Sequence, residues 1–199
     1  MSEINATSVK ELRAKTGAGI MDCREALTVN NGNIEEAAGW LRQKGISKAD
    51  KKASRETNEG QVGSYIHAGG RVGVLVEVNC ETDFVAKTDE FGSLVGGIAM
   101  QIAAMSPRYI TREEVPQDVI DKEIAGYKAA ALEEGKPENV AEKIATGKVD
   151  KYFKAQCLLE QQYIRDDSKT IEELLKETIA RTGENIRIKR FSRFDLAEG

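Results

Sequence analysis

The sequence predicts an α+β protein: an N-terminal three-helix domain, then a small antiparallel sheet packed with helices and a protruding helical hairpin. Three observations predict it. The first 45 residues hold three segments with apolar residues at helical spacing, each closed by glycine or asparagine. Two runs of alternating residues flank Gly69-Gly70. Residues 117–155 carry two helical stripes joined by "EGKP". The 199 residues divide on this reading into a helical domain over 1–45, a charged linker over 46–59 and an α+β core over 60–199 that includes the hairpin.

Ser8, with Glu11 three residues on, forms a capping box over "SVKELRAKT", and Gly17 and Gly19 end that helix. Asp22 caps "CREALTVN", which stops at "NNG". Asn33 caps a third helix in which Ile34, Ala37, Ala38 and Leu41 share a face, before Gly45 stops it. The charged stretch after it is almost free of large apolar residues and reads as a linker or an exposed helix.

"VGSYIHA" and "RVGVLVEVN" read as strands around a two-residue turn, because both glycines accept positive φ. Val72, Val74, Val76 and Val78 share the core face; Gly73, Leu75, Glu77 and Asn79 share the other. "GGRVG" opens no helix, so it is a turn and not a phosphate loop. From Phe91 the period lengthens: Phe91, Leu94, Val95, Ile98, Ile102 and Met105 form a helical stripe that Pro107 ends, with Met100 and Met105 as core filler. Pro116 starts the hairpin, in which Ile120, Ile124, Tyr127 and Ala131 follow a 4-3-4 spacing and the return helix carries Val140, Ile144, Val149, Tyr152 and Phe153. Thr170 and Glu173 box a last helix carrying Ile171, Leu174, Leu175 and Ile179, and "NIRIKRFSRF" alternates as a half-exposed strand.

Composition narrows the function classes. The net charge of −4 disfavours a surface that binds nucleic acid throughout. No apolar run approaches a membrane span and "MSEINATSVKELR" has no signal-peptide core, so the expectation is a cytoplasmic protein without membrane contact. Cys23, Cys80 and Cys157 are widely spaced and His67 is the single histidine, which argues against a zinc site or disulfide framework. With one histidine and no convergent catalytic motif, the chain reads as no enzyme.

The junction "NCETDFVAKTDEF" is unusual, since a large apolar residue sits in a polar turn. Thr82 can cap a short helical turn with Asp83 and Phe84 in its first positions. Phe84 then either folds back onto the core near Phe91 or points outward at the rim of the sheet.

"VKELRAKTGAGIMDCREAL" together with "VEVNCETDFVAKTDEF" resembles elongation factor Ts, the family of nucleotide exchange factors for the GTPase elongation factor Tu. "SYIHAGGRVGVLVEVN" and "EEGKPENVAEKIATGKVDKYF" resemble further family segments, so the resemblance covers almost the whole chain in the family's order. It implies a ubiquitin-associated-like fold for the first three helices. It implies that Thr82, Asp83, Phe84 and Val85 form the segment that dislocates Mg²⁺ in the GTPase, which is met in both its GDP-bound and nucleotide-free forms. It also implies that Leu12, Arg13, Ile20 and Met21 belong to an N-terminal contact surface, although Leu12 and Met21 could equally hold the three helices together. There is one departure: longer members carry two copies of the strand-strand-helix core, while here "GSYIHAGGRVGVLV" runs straight into "EVNCETDFVAK". The implied consequence is a homodimer through the α+β core, giving a 2:2 complex without direct nucleic-acid contact. An RNA-binding protein of the translation apparatus is the alternative, because "RIKRFSRF" interleaves basic and aromatic residues.

Overall fold

In the computed structural model, which describes residues 4–197, Asn5 begins the first helix. Its Oδ1 accepts from the Ser8 N–H at 2.9 Å, so Ser8 lies inside α1 (Ala6–Thr16) instead of capping it. Asn ranks with Ser as a cap, and the earlier start adds a turn of helix. Gly17 closes α1 in the left-handed region. The second helix, α2 (Ile20–Val29), starts at Gly19 with no side-chain cap. Asp22 sits in its first turn and is paired instead with Lys44 at 3.4 Å and Lys48 at 3.0 Å. These ammonium groups hold its carboxyl below the usual 3.8, against the opposing effect of desolvation.

Asn33 caps α3 (Ile34–Asp50) as its sequence suggests, accepting from the Glu35 and Glu36 N–H groups at 3.0 and 3.2 Å. Gly45 does not end it. A Cβ at Gly45 would lie 3.1 Å from Ala180 of α8 (Ile171–Thr182), so this glycine serves a close approach and α3 runs on to Asp50. Leu12, Cys23, Ala26, Leu27, Ala37 and Leu41 form the core shared by the first three helices, with Ile34 and Trp40 packed against it.

The sheet has the order β1 (Glu59–Ile66), β2 (Val72–Cys80), β5 (Ile186–Asp195). Its first turn is wider than two residues. The His67 N–H donates to the Val72 carbonyl and the Gly70 N–H to that of His67, both at 2.9 Å, with φ of +87° and +69° at Gly69 and Gly70. Val74, Val76 and Val78 are buried as the alternation predicts, and Leu75 is exposed. Along β5 the pattern holds for Ile186 and Ile188 and slips at Arg190, so the partly buried residues beyond it are Phe191, Arg193 and Asp195.

After the single turn α4 (Asp83–Ala86), α5 (Asp89–Met105) buries Phe91, Leu94, Val95, Ile98 and Ile102. Met105 leaves the stripe and is largely exposed: it is the last helical residue, and Ser106 follows with φ of +48° before Pro107. The hairpin pairs α6 (Gln117–Glu133) with α7 (Glu138–Gln156) and buries Ala131, Ala141, Ala145 and Val149. Near its base, Arg112 pairs with Asp150 at 2.7 Å and with Glu160, and lies 4.7 Å from the centre of the Phe153 ring. A small antiparallel pair, β3 (Gln162–Tyr163) with β4 (Asp166–Thr170), was not legible, because "QYIRDDSKT" is short, polar and without period. Buried Gln101 positions it, donating to the Gln162 carbonyl at 3.1 Å and accepting from the Ile164 N–H at 2.9 Å.

The chain forms two compact units. One runs through Gly63 and adds Glu77–Gly96 and Glu173–Lys189; the other holds Ser64–Val76, Gly97–Glu172 and the residues from Arg190 onward. Within the first, Phe91 has no exposed surface. Replacing it with alanine is expected to lower stability by about 3–5 kcal/mol in urea unfolding, through lost transfer energy and a cavity.

Candidate functional site

The site starts where β2 stops. Cys80 is fully buried, and its thiol donates to the Thr82 carbonyl at 3.2 Å. Burial pushes this thiol up to about 11, so at neutral pH it is a packed thiol and not a nucleophile. Thr82 is extended, with φ −129° and ψ 157°, and its Oγ1 accepts from the Val85 N–H at 3.4 Å. That is the N-cap the sequence suggests for α4. The last residue of the turn, Ala86, is buried, and its carbonyl accepts from the Gln61 side-chain amide.

A turn held at both ends leaves its middle facing out. Phe84 is 82% exposed, so it does not fold back onto the core near Phe91. Val85 is half-buried beside it. Asp83 pairs with Lys87 at 2.6 Å one helical turn on, and the ammonium lowers its carboxyl below the usual 3.8 while the carboxylate raises Lys87. A single exposed apolar residue is ordinary on a protein surface. Here the backbone that carries the Phe is a capped and anchored turn, so the ring is presented outward from a fixed place.

Glu81 and Glu184 complete the junction, and sequence reasoning missed their role. The Thr82 N–H and O–H both donate to the Glu184 carboxylate, at 3.0 and 2.6 Å. The Asn185 N–H donates to Glu81 at 2.6 Å. The partners lie more than a hundred residues apart in the chain, so no local pattern announces them.

The N-terminal candidates separate by burial. Arg13 is exposed, Ile20 is 56% and Met21 74% exposed, while Leu12 is fully buried in the three-helix core. Leu12 therefore holds the helices together; Met21 does not. Both groups of candidates belong to the first compact unit. Gly17, between α1 and α2, lies against Arg181 (a Cβ there would be 2.9 Å from its Cδ), and Arg181 pairs with Glu90 at the start of α5. Among the described residues no group of His, Cys, Asp and Glu could hold a metal ion, and no helix is long and apolar enough to cross a membrane.

Two measurements follow from the turn. The Asp83 carboxyl should titrate by NMR below 3.8 and return toward that value in Lys87→Ala. Because the folded-state value is the depressed one, any stabilisation from the pair is present above the unfolded value and is lost as pH falls through the folded one. Phe84→Ala should change urea stability by no more than about 0.5 kcal/mol, as for a surface substitution.

A family model described as elongation factor TS matches residues 5–198. The chain is 60% identical over 196 residues to an elongation factor Ts of Thermoanaerobacter sp. (strain X514), covering 98% of this chain and 96% of that one. It is 61% identical to that of Syntrophomonas wolfei subsp. wolfei, with 98% and 92% covered. It is 57% identical to that of Desulfosudis oleivorans, each chain covered in full.

Proposed function

The chain belongs to the elongation factor Ts family, whose members exchange nucleotide on elongation factor Tu during translation, and from that premise we propose how its residues promote the exchange. The proposal is mechanical: no bond is made or broken by this protein, and it works in the cytoplasm without cofactor, nucleic acid or membrane. A GTPase holds GDP through its phosphate loop and a Mg²⁺ that offsets phosphate charge. The Thr82-Asp83-Phe84-Val85 turn enters the GTPase, the Phe84 ring wedges in, and the Mg²⁺ ligands are displaced. The Mg²⁺ and the nucleotide are the partner's.

One observation carries this reading: Phe84 is 82% exposed on a turn whose ends are fixed. Burying such a ring in a partner contributes about 2–3 kcal/mol, a factor of roughly 30 to 150 in an equilibrium constant. If the protein binds the empty GTPase more tightly than the GDP form, GDP binds the complex more weakly by the same factor. GTP then enters by abundance. Asp83 orients the turn by hydrogen bonding to the partner. Arg13, Ile20 and Met21, all exposed, form the second contact, and buried Leu12 supports the helices that present them.

A homodimer, giving a 2:2 complex, is part of the same reading. In the second compact unit, Ile66, Leu75 and Phe194 are exposed large apolar residues on sheet strands, and the Ile66 side chain lies over Gly73. An open apolar sheet face of this kind is a surface for a second copy.

Stopped-flow release of a fluorescent GDP from elongation factor Tu tests the wedge. The wild type should accelerate release, and Phe84→Ala should still bind while losing more than about tenfold of the acceleration. Equal acceleration by both would move the mechanism away from Phe84. Sedimentation velocity tests the dimer: twice the single-chain mass is expected, and Leu75→Glu should return the protein to one chain.

A further inference from the structure

We infer that Glu184 is a positioning residue for exchange: its carboxylate sets the turn that projects Phe84, an inference that rests on the wedge reading above. Thr82 Oγ1 has two tasks that compete for one hydroxyl. It must accept from the Val85 N–H to cap α4, and its own proton must go elsewhere. Glu184 accepts the hydrogen bond from that O–H at 2.6 Å and, with its other oxygen, one from the Thr82 N–H at 3.0 Å. A carboxylate only accepts, so it orients the hydroxyl with lone pairs toward Val85. The cap and the rotor are thus fixed by one side chain.

Glu184 is itself held in place. Asn185 beside it is almost fully buried; its N–H donates to Glu81 at 2.6 Å, and its side-chain amide donates to the Arg55 carbonyl at 2.7 Å and to that of Ala53 at 3.4 Å. On the other side, Lys52 Nζ donates to the Gly183 carbonyl at 2.7 Å. Residues 81–82 and 184–185 therefore exchange side-chain-to-backbone hydrogen bonds in both directions, and the stretch after α3 secures the second pair. Glu184 bonds to Thr82, two residues before Phe84, and not to the nucleotide in the wedge picture. Its effect passes through the direction of the turn.

The test uses the full-length protein in two readouts. In the free protein, Glu184→Ala should raise hydrogen exchange at the Val85 amide roughly tenfold or more, as for a lost charge-assisted hydrogen bond, with the Ile98 and Ile102 amides of α5 unchanged. Glu184→Gln should restore most of the protection, because its amide oxygen still accepts from Thr82. Unchanged Val85 exchange in Glu184→Ala overturns the inference, and so does a rise shared equally by α5, which would mark a residue supporting only the fold. In GDP release, Glu184→Ala should lower the maximal rate several-fold while leaving the half-saturating concentration near that of the wild type. Adding Phe84→Ala to it should then cost no more than Phe84→Ala alone; independent, multiplying losses overturn the inference. If Phe84→Ala alone releases GDP as the wild type does, the wedge reading fails, and the Val85 exchange result still decides whether Glu184 sets the turn.

Discussion

Between buried Cys80, which ends β2, and buried Phe91, in the first turn of α5, the backbone must turn without leaving its polar groups unpaired. Cys80 and Phe91 have no exposed surface, so neither flank can shift to relieve the turn. Unpaired backbone donors at such a place cost as much as lost hydrogen bonds. The chain meets this with side chains: Thr82 caps Val85, Glu184 accepts from Thr82, and Gln61 donates to the Ala86 carbonyl. What remains without a place inside is Phe84. Its exposure is a consequence of satisfying everything around it.

The same junction ties the stretch after the first three helices to the end of β2 within the first compact unit. Gly45 lets α3 approach Ala180, Arg42 pairs with Glu177 at 3.2 Å and Lys176 with Asp50 at 3.0 Å, so α3 is fastened along α8. The loop after α8 then supplies Glu184 and Asn185. These are partly exposed pairs whose individual energies are small. Their value lies in register: they fix which residues of the 183–185 loop face residues 81–82. The second unit uses a different device, a buried amide. Gln101, fully buried, makes hydrogen bonds to Gln161, Gln162 and Ile164 and so orders a short pair of strands with little apolar content.

Where apolar spacing repeats, the sequence was enough. The buried valines of β2, the stripe of α5 as far as Ile102, the pairing of α6 with α7 and the Asn33 cap follow from side-chain periods and local hydrogen bonding. So does the Thr82 cap, and with it the position of Phe84 in a helical turn. In the hairpin, by contrast, Ile124 and Val140 of the expected stripes are exposed, and Ala131, Ala141 and Ala145 are buried with Val149. Two features depended on partners well outside the local stretch of chain. Gly45 reads as a stop until Ala180 is seen beside it. Asp22 reads as a cap until Lys44 and Lys48 are in reach. Ser8 and Asn5 are both competent caps, and local hydrogen bonding alone leaves that choice open; in the structure Asn5 accepts from the Ser8 N–H.

The chain's own residues thus determined that Thr-Asp-Phe-Val forms a capped turn and, through two long motifs in order, which family it resembles. They left open whether Phe84 faces in or out, since an aromatic ring in a polar turn is compatible with either. Tertiary structure decided this: Ala86 and Phe91 take buried positions, while Phe84 is left exposed. It also decided that Leu12 is core while Ile20 and Met21 are surface, because three helices share one small interior and helical period alone does not say which edge of a stripe that interior reaches.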